Sequence, residues 1–579
     1  MNSLNTPNDM LREMHINRRQ TLTMLPLVGA IGSHAVVASA EVQTESVYLT
    51  TEEVLKSTVP KSLKRISTSG FTAPHDGGAA VWIRVSKQPQ HPGYITDASD
   101  SIFEIDENVL LPEMFGALGD IHDDYFPIQR SVTVAALTKR RLEFRGARYS
   151  ISDEIIVPAD AEKFSLVGLC MTELVQLSDN KSIFLFSGEN THHWTISGFR
   201  FLWQRNQTPA NRNAYAVRFA TNRPGGAGHW NFEISNCILV NGFRGFGQSD
   251  NGHKTLLCPI WGAAFRRIHM SQAHSGAAIF LRTFGKSGQP NNRIEEFYAR
   301  CDHLSEPAII IESADTAVLT SIEFNRGTGC QLLLESCSNF VVQGIRFEHV
   351  GLGSNGAYIV ASGRHTNIQL LALSIQSMEL AAGGGAASAL VRAMNGARVK
   401  IDGFTDMPWR APSAMRYELM HNTVAVADAQ GGHITVGFIA PLFDPALTLA
   451  RIASESTVRF TEADSYDFFF EGNGKPVFSR KFVRQRAGIV AVGIFAEGIS
   501  DDILRGFVLY SDGKPILSGR KDLGQIFDLG KIIILPKALR SQELPLILTT
   551  GGLLSLSLPV FTPAPQGYTV MVSLIAVGI

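Results

Sequence analysis

The chain has 579 residues, 45% of them apolar and 18% charged, with a formal net charge of −1 and 52 glycines. That length exceeds one compact core and points to several domains or an elongated solenoid. The composition excludes a disordered chain, and the balanced charge without a Lys/Arg block argues against nucleic acid as a partner.

The chain opens with a targeting pattern. Asn17-Arg18-Arg19-Gln20-Thr21-Leu22 precedes an apolar stretch from Met24 to Val37 and then Ala38-Ser39-Ala40. A charged region, a short apolar run and an A-x-A site read as a secretory signal over residues 1–40, not a membrane span. The paired arginines resemble the twin-arginine signal, which exports folded proteins, although Thr21 stands where that signal usually has Phe. The mature protein is expected outside the cytoplasm, secreted or periplasmic, with no membrane span.

Residues 41–110 read as a small mixed leader module. Within it, Gly70 to Val85 reads as a turn followed by an alternating strand. Asp123 and Asp124 precede a helix-periodic run, Ile128 to Leu137, and read as its cap. That helix is expected to cover the open N-terminal end of a solenoid.

The middle third of the chain carries a series of strand triplets: Phe199–Phe201, Ile238–Val240, Ile268–Met270, Phe297–Ala299, Ile322–Phe324, Ile345–Phe347 and Leu373–Ile375. They recur at 39, 30, 29, 25, 23 and 28 residues. A strand turns alternate side chains to opposite faces, so the flanking pair goes inward and the middle residue outward. One strand per 20–50-residue repeat with uneven loops describes a β-helix. After Ile375 the pattern fades, and residues 440–579 read as alternating short strands of a β-sandwich-like C-terminal domain. There Gly474-Lys475-Pro476 recurs as Gly513-Lys514-Pro515, two equivalent hairpin turns.

Phe115-Gly116-Ala117-Leu118-Gly119-Asp120 followed by Asp123-Asp124 and Ile128-Gln129 resembles the opening segment of the pectate-lyase-like, right-handed parallel β-helix superfamily. The preceding Gly70-Phe71 to Asp76-Gly77-Gly78-Ala79 resembles the leader of phage tailspike depolymerases and related bacterial proteins. This chain has only Ile121-His122 between Gly119-Asp120 and the Asp pair, where the family usually has more residues. The resemblance implies an all-β, single-stranded right-handed parallel β-helix over 111–430 with an N-terminal cap. It also implies a substrate class, acidic or neutral polysaccharide, and carries over no catalytic residue. Tailspike-like proteins are commonly trimers, so a homotrimer is the assembly it allows.

The outward column of the triplets reads Arg200, Leu239, His269, Tyr298, Glu323, Arg346 and Ser374, and a second column holds Leu202, Asn241, Ser271, Arg300, Asn325, Glu348 and Gln376. Four consecutive coils thus gather His269, Tyr298, Arg300, Glu323, Arg346 and Glu348, with Asp302 at the edge. Mixed acid, base, cation and aromatic groups on a shallow face suit a polysaccharide. Glu323 and Glu348, with Asp302 nearby, are the catalytic candidates; His269, Tyr298, Arg300, Arg346 and Arg200 are the substrate-binding ones. Strand spacings put the Glu323 and Glu348 Cα atoms about 8 Å apart, compatible with the roughly 6.5–9.5 Å carboxyl gap of an inverting glycosidase. The same patch also suits β-elimination at a uronic acid, with His269 or Tyr298 as base and Arg300 and Arg346 neutralising the carboxylate. A third reading is a non-catalytic, glycan-binding surface β-helix, in which Glu323–Arg346 is only a cross-strand ion pair.

Six cysteines show no metal-binding spacing, and Cys237 and Cys301 read as small core residues. His192-His193 before Trp194 reads as strand-edge packing, not a metal site. The sequence has no nucleotide loop, HExxH or nucleophile elbow, and neither metal nor cofactor is expected.

Overall fold

The computed structural model describes residues 45–220, 228–248, 259–282, 290–327, 329–348, 350–351, 356–375, 378–379, 389–406 and 424–436, and thereafter the strands 447–452, 457–460, 465–469, 481–484, 488–497, 508–511, 514–518, 546–549, 552–557 and 569–578. The expected signal over 1–40, Cys258, Gln376 and the turn at Gly474 lie outside these residues.

Two long parallel sheets dominate. One runs from Val109–Leu110 to Thr457–Phe460, the other from Ile155–Val157 to Leu447–Ile452, and in both each strand pairs with its counterpart from the next coil. This stacking of sequence-distant strands, always parallel, is a parallel β-helix. The residue 430 expected to end it falls at the end of the strand Val424–Gln430, which pairs onward with Leu447–Ile452.

Eight consecutive strands of the first sheet, from Thr195–Trp203 to Arg398–Asp406, are each broken by one residue in the left-handed conformation. These are Gly198 (φ 79°), Asn236 (53°), Arg267 (51°), Glu296 (55°), Ser321 (56°), Gly344 (71°), Ala372 (55°) and Gly403 (82°). They occupy equivalent places on successive coils, where the ladder skips a pair: Ser235 faces Arg266 and Cys237 faces Ile268. The extra residue shifts side-chain alternation by one, as a bulge does. In the Glu323 strand, Leu319 points in and Thr320 out before the bend; Ile322 and Phe324 point in and Glu323 out after it.

The inward residues form a continuous apolar column. Phe324 and Phe347 stack with ring centroids 5.7 Å apart, and Phe297 meets Phe324 edge-on at 6.1 Å. Each such buried side chain contributes roughly 1.5–3 kcal/mol. Cys237, Cys301 and Cys337 are buried among them as free thiols, as expected of small core residues for the first two. Burial pushes the Cys237, Cys330 and Cys337 thiols up to about 12.

The helix Tyr125–Thr138 packs Ile128, Val132, Ala135 and Ala136 against the first coil. Its Gln129 amide accepts from the Ile156 N–H (2.7 Å) and donates to the Ile156 carbonyl (2.9 Å). The side chain thus satisfies backbone groups that the first strand of the second sheet would leave open. The Asp pair is not the simple cap expected. Asp124 stands at the cap position, but its carboxylate accepts from the Leu118 and Gly119 N–H groups, while Asp123 accepts from Tyr125 and Ser152. The acid pair ties the preceding loop to the helix start and to the next strand.

Ahead of the helix lie the short helix Thr51–Lys56 and a five-stranded sheet. The Gly70–Gly78 turn closes around Asp76, whose carboxylate accepts from the N–H groups of Phe71, Thr72, Ala73 and Gly78. A Cβ at Gly70 would lie 1.8 Å from the Ala73 carbonyl oxygen, which explains the glycine. After the coils, the described strands from 465 onward form two four-stranded antiparallel sheets, and Val508–Ser511 pairs antiparallel with Lys514–Ser518, the strand that Lys514 and Pro515 begin; Gly513 lies outside the described residues.

A Cβ at Gly344 meets no atom nearer than 3.7 Å, so Gly344→Ala should cost only its backbone strain, about 1 kcal/mol in a urea titration. At Asp76, partial burial alone would raise the carboxyl pKa, but four backbone hydrogen bonds outweigh that and hold it down to about 2 from 3.8. Its stabilisation is therefore full above pH 3.8 and lost as pH falls through about 2. Asp76→Asn should lower stability at neutral pH and narrow its gap to wild type in that window, as followed by thermal unfolding across pH.

Candidate functional site

The bend two residues earlier aims the second half of each strand outward at one residue per coil. On the first sheet that column is Arg200, Ile238, His269, Tyr298, Glu323, Arg346 and Ser374, each in direct register with the next. The expected Leu239 is corrected to Ile238. Leu239 is fully buried between Phe201 and Met270, because the inward pair of that coil is Cys237 and Leu239. Asn241 likewise leaves the second column: Val240 pairs with Leu202, and Asn241 turns its amide to the Trp203 carbonyl.

Arg200 is exposed and bonds Glu173 at 3.0 Å. Four coil steps separate it from Glu323, about 19 Å at the usual strand spacing, so it stands apart from the patch.

The other seven candidates converge. His269 and Tyr298 stack with ring centroids 4.6 Å apart and planes at 29°. Loss of water around the His269 ring lowers its pKa, leaving it neutral at neutral pH. Tyr298 is held above the usual phenol range, first by burial and then by the negative charge of Glu323. Arg346 lies between the two glutamates, 3.8 Å from Glu323 Oε2 and 3.8 Å from Glu348 Oε1. Asn325, opposite Glu348 in the ladder, donates its amide to Glu348 Oε2 at 3.0 Å.

Strand pairing sets Glu323 and Glu348 diagonally on neighbouring strands, as read from the sequence. Burial, and then the contact with Glu348, raise the Glu323 pKa, while Arg346 opposes the rise.

Arg300 turns sideways to Asp302, with Nη2 at 3.2 Å from Oδ2, and Arg326 approaches the same oxygen at 4.0 Å. Asp302 is therefore neutralised, and the Arg300 charge is partly engaged. Neither Asn325 nor Arg326 has a role on the sequence reading; the outward period places Asn325, whereas Arg326 lies past the strand end in a left-handed turn. His192 stacks on Trp230 at 4.7 Å and Trp230 on Trp261 at 5.3 Å, the packing role expected for the first of these.

No protein-family profile and no curated protein matches the chain. Solved structures with a similar course include the enzymatically active domain of bacteriophage CBA120 tailspike protein 2 (13% identity, TM-score 0.49, covering 78% of this chain and 71% of that one). A tailspike of Acinetobacter phage vb_AbaP_AS12 matches at 11% identity and TM-score 0.49, over 72% and 74% of the two chains. The mannuronan C-5 epimerase A-module of Azotobacter vinelandii matches at 13% and 0.40, over 60% and 99%.

Removing the cation isolates its effect: in Arg346→Met the Glu323 carboxyl should titrate at higher pH than in wild type, as read by carboxyl carbon NMR.

Proposed function

We propose that this chain is an exported polysaccharide depolymerase that cleaves glycosidic bonds by a two-carboxylate hydrolysis, acting on an extracellular or capsular polysaccharide. The observation that carries the reading is the pairing of Glu323 and Glu348 with one cation, Arg346, on the outer face beside the His269–Tyr298 stack. The stacked rings offer a sugar an apolar surface. Glu323, with its raised pKa, supplies the proton for the leaving oxygen, and Glu348 as carboxylate receives one from water.

Arg346, 3.8 Å from each carboxyl, holds both acids on the same stretch of the outer face. Asp302 sits beside the site in an ion pair with Arg300 and acts on substrate orientation more than on proton transfer. The Arg18-Arg19 signal supports export.

A second reading, β-elimination at a uronic acid, rests on the neutral His269 beside the Tyr298 phenol, with Arg346 as the cation for the substrate carboxylate. The partial commitment of Arg300 to Asp302 weakens it.

Digestion of a panel of bacterial extracellular polysaccharides, with product masses, tests the proposal. Glu323→Gln and Glu348→Gln should each slow cleavage by about 100-fold or more, and the rate should fall as pH rises past the Glu323 pKa and its proton is lost. Unchanged cleavage in both variants overturns the hydrolytic roles. Products absorbing as unsaturated uronates select elimination, and no cleavage of any polysaccharide selects a binding protein.

A further inference from the structure

We infer that Arg148 and Arg200 form a distal subsite for an acidic polysaccharide, holding a sugar carboxylate at the far end of the column that carries Glu323. The inference rests on the glycan-cleaving reading of that face and names the charge its substrate must carry, but its own test reads binding.

The position follows from the ladder. Arg148 pairs with Glu173, Glu173 with Arg200 and Arg200 with Ile238, and the same file continues through His269 and Tyr298 to Glu323. At the usual strand spacing Arg200 stands about 19 Å and Arg148 about 29 Å from Glu323 along one outer face. Ile238, the neutral His269 and Tyr298 fill the interval, so no charged side chain of this file separates the arginines from the acid. A glycan laid across the strands from Glu323 meets aromatic and apolar groups first and cations next.

The fold leaves these arginines short of acceptors. A guanidinium carries five N–H donors and no acceptor. Glu173 lies between the two, 3.0 Å from Arg200 Nη1 and 3.8 Å from Arg148 Nη1. One carboxylate therefore serves two cations, and the group keeps an excess positive charge. Among the described residues the Arg148 side chain finds no hydrogen-bond acceptor, and its Nε is buried without a partner.

Elsewhere the chain closes its arginines. Arg218 takes both oxygens of Glu154 at 2.7 and 2.9 Å, and Arg244 both oxygens of Glu306 at 2.8 and 3.0 Å. Those two are buried, whereas the Arg148 and Arg200 side chains are 41% and 44% exposed. On the neighbouring strand Arg141 and Arg145 likewise share Glu143, at 2.8 and 3.4 Å, which adds a second excess charge. Open guanidinium edges bind planar carboxylates through paired N–H···O bonds. Arginines that only clipped the coils together would leave the opposite signature, a loss of stability without a loss of binding.

The experiment is isothermal titration of the full chain, in a Glu323→Gln background, with galacturonate and mannuronate oligomers of graded length and with dextran oligomers as the uncharged control. Affinity for an acidic series should rise with length until the oligomer spans the column, and dextran should bind more weakly at every length. With Arg148→Gln and Arg200→Gln combined, the longest acidic oligomers should lose about tenfold in affinity, and the gain with length should disappear. Arg148→Lys with Arg200→Lys keeps the charge without the planar fork and should fall between. Thermal unfolding checks that the variants are folded, and Arg200→Gln alone carries the comparison if the double variant is not.

Equal affinity of the parent and the folded glutamine variant for long acidic oligomers overturns the inference. So does dextran binding as tightly as the acidic series, or no binding by any acidic oligomer. Full displacement by inorganic sulfate at equal charge also overturns it, leaving a site for free anions alone. Failure of the hydrolytic reading looks different: the length-dependent binding and its loss remain, yet Glu323→Gln still cleaves.

Discussion

One backbone constraint organises this molecule: a left-handed residue at the same place in eight consecutive strands of the first sheet. Left-handed backbone costs a non-glycine residue roughly 1–2 kcal/mol, and Asn236, Arg267, Glu296, Ser321 and Ala372 all adopt it. The coils above and below offset this cost by fixing the position through parallel hydrogen bonds on both sides. The bend resets the inside–outside alternation, so it determines which residue of the following triplet reaches solvent. The convergence of His269, Tyr298, Glu323 and Arg346 depends on four such resets occurring in step.

That constraint also explains what could be read from the sequence. The triplets Ile268–Met270, Phe297–Ala299, Ile322–Phe324 and Ile345–Phe347 were legible because bulky residues flank each outward position. The coil before them misled because Cys237 is a weak apolar cue and Val240 a strong one, which moved the apparent triplet along by one residue. The half-strand ahead of each bend was hidden, since a one-residue phase change destroys a strict period of two. Nothing in the residue types Arg267, Glu296 or Ala372 announces positive φ; only the stacking imposes it.

The candidate site was legible in its membership more than in its chemistry. Register placed Glu323 and Glu348 diagonally on adjacent strands, yet backbone spacing does not fix where flexible carboxyls come to rest. Both approach Arg346 at 3.8 Å, a shared cation that strand spacing alone does not reveal. At the N-terminal end the recognisable residues were right and their roles were partly different. Asp124 serves the loop before the helix, and Gln129 substitutes for a missing strand neighbour. Both uses depend on segments that meet only after folding.

The buried thiols carry a consequence for how such a chain could survive oxidising surroundings. Disulfide exchange requires a thiolate, and the buried Cys237 and Cys337 have their ionisation pushed to about 12 by burial. In the folded protein these sulfurs are therefore chemically silent, whereas the same residues in an unfolded chain would ionise normally and could pair at random. A chain that folds before it meets an oxidant keeps its cysteines as ordinary packing atoms. The core thus protects its own redox state, provided that folding comes first.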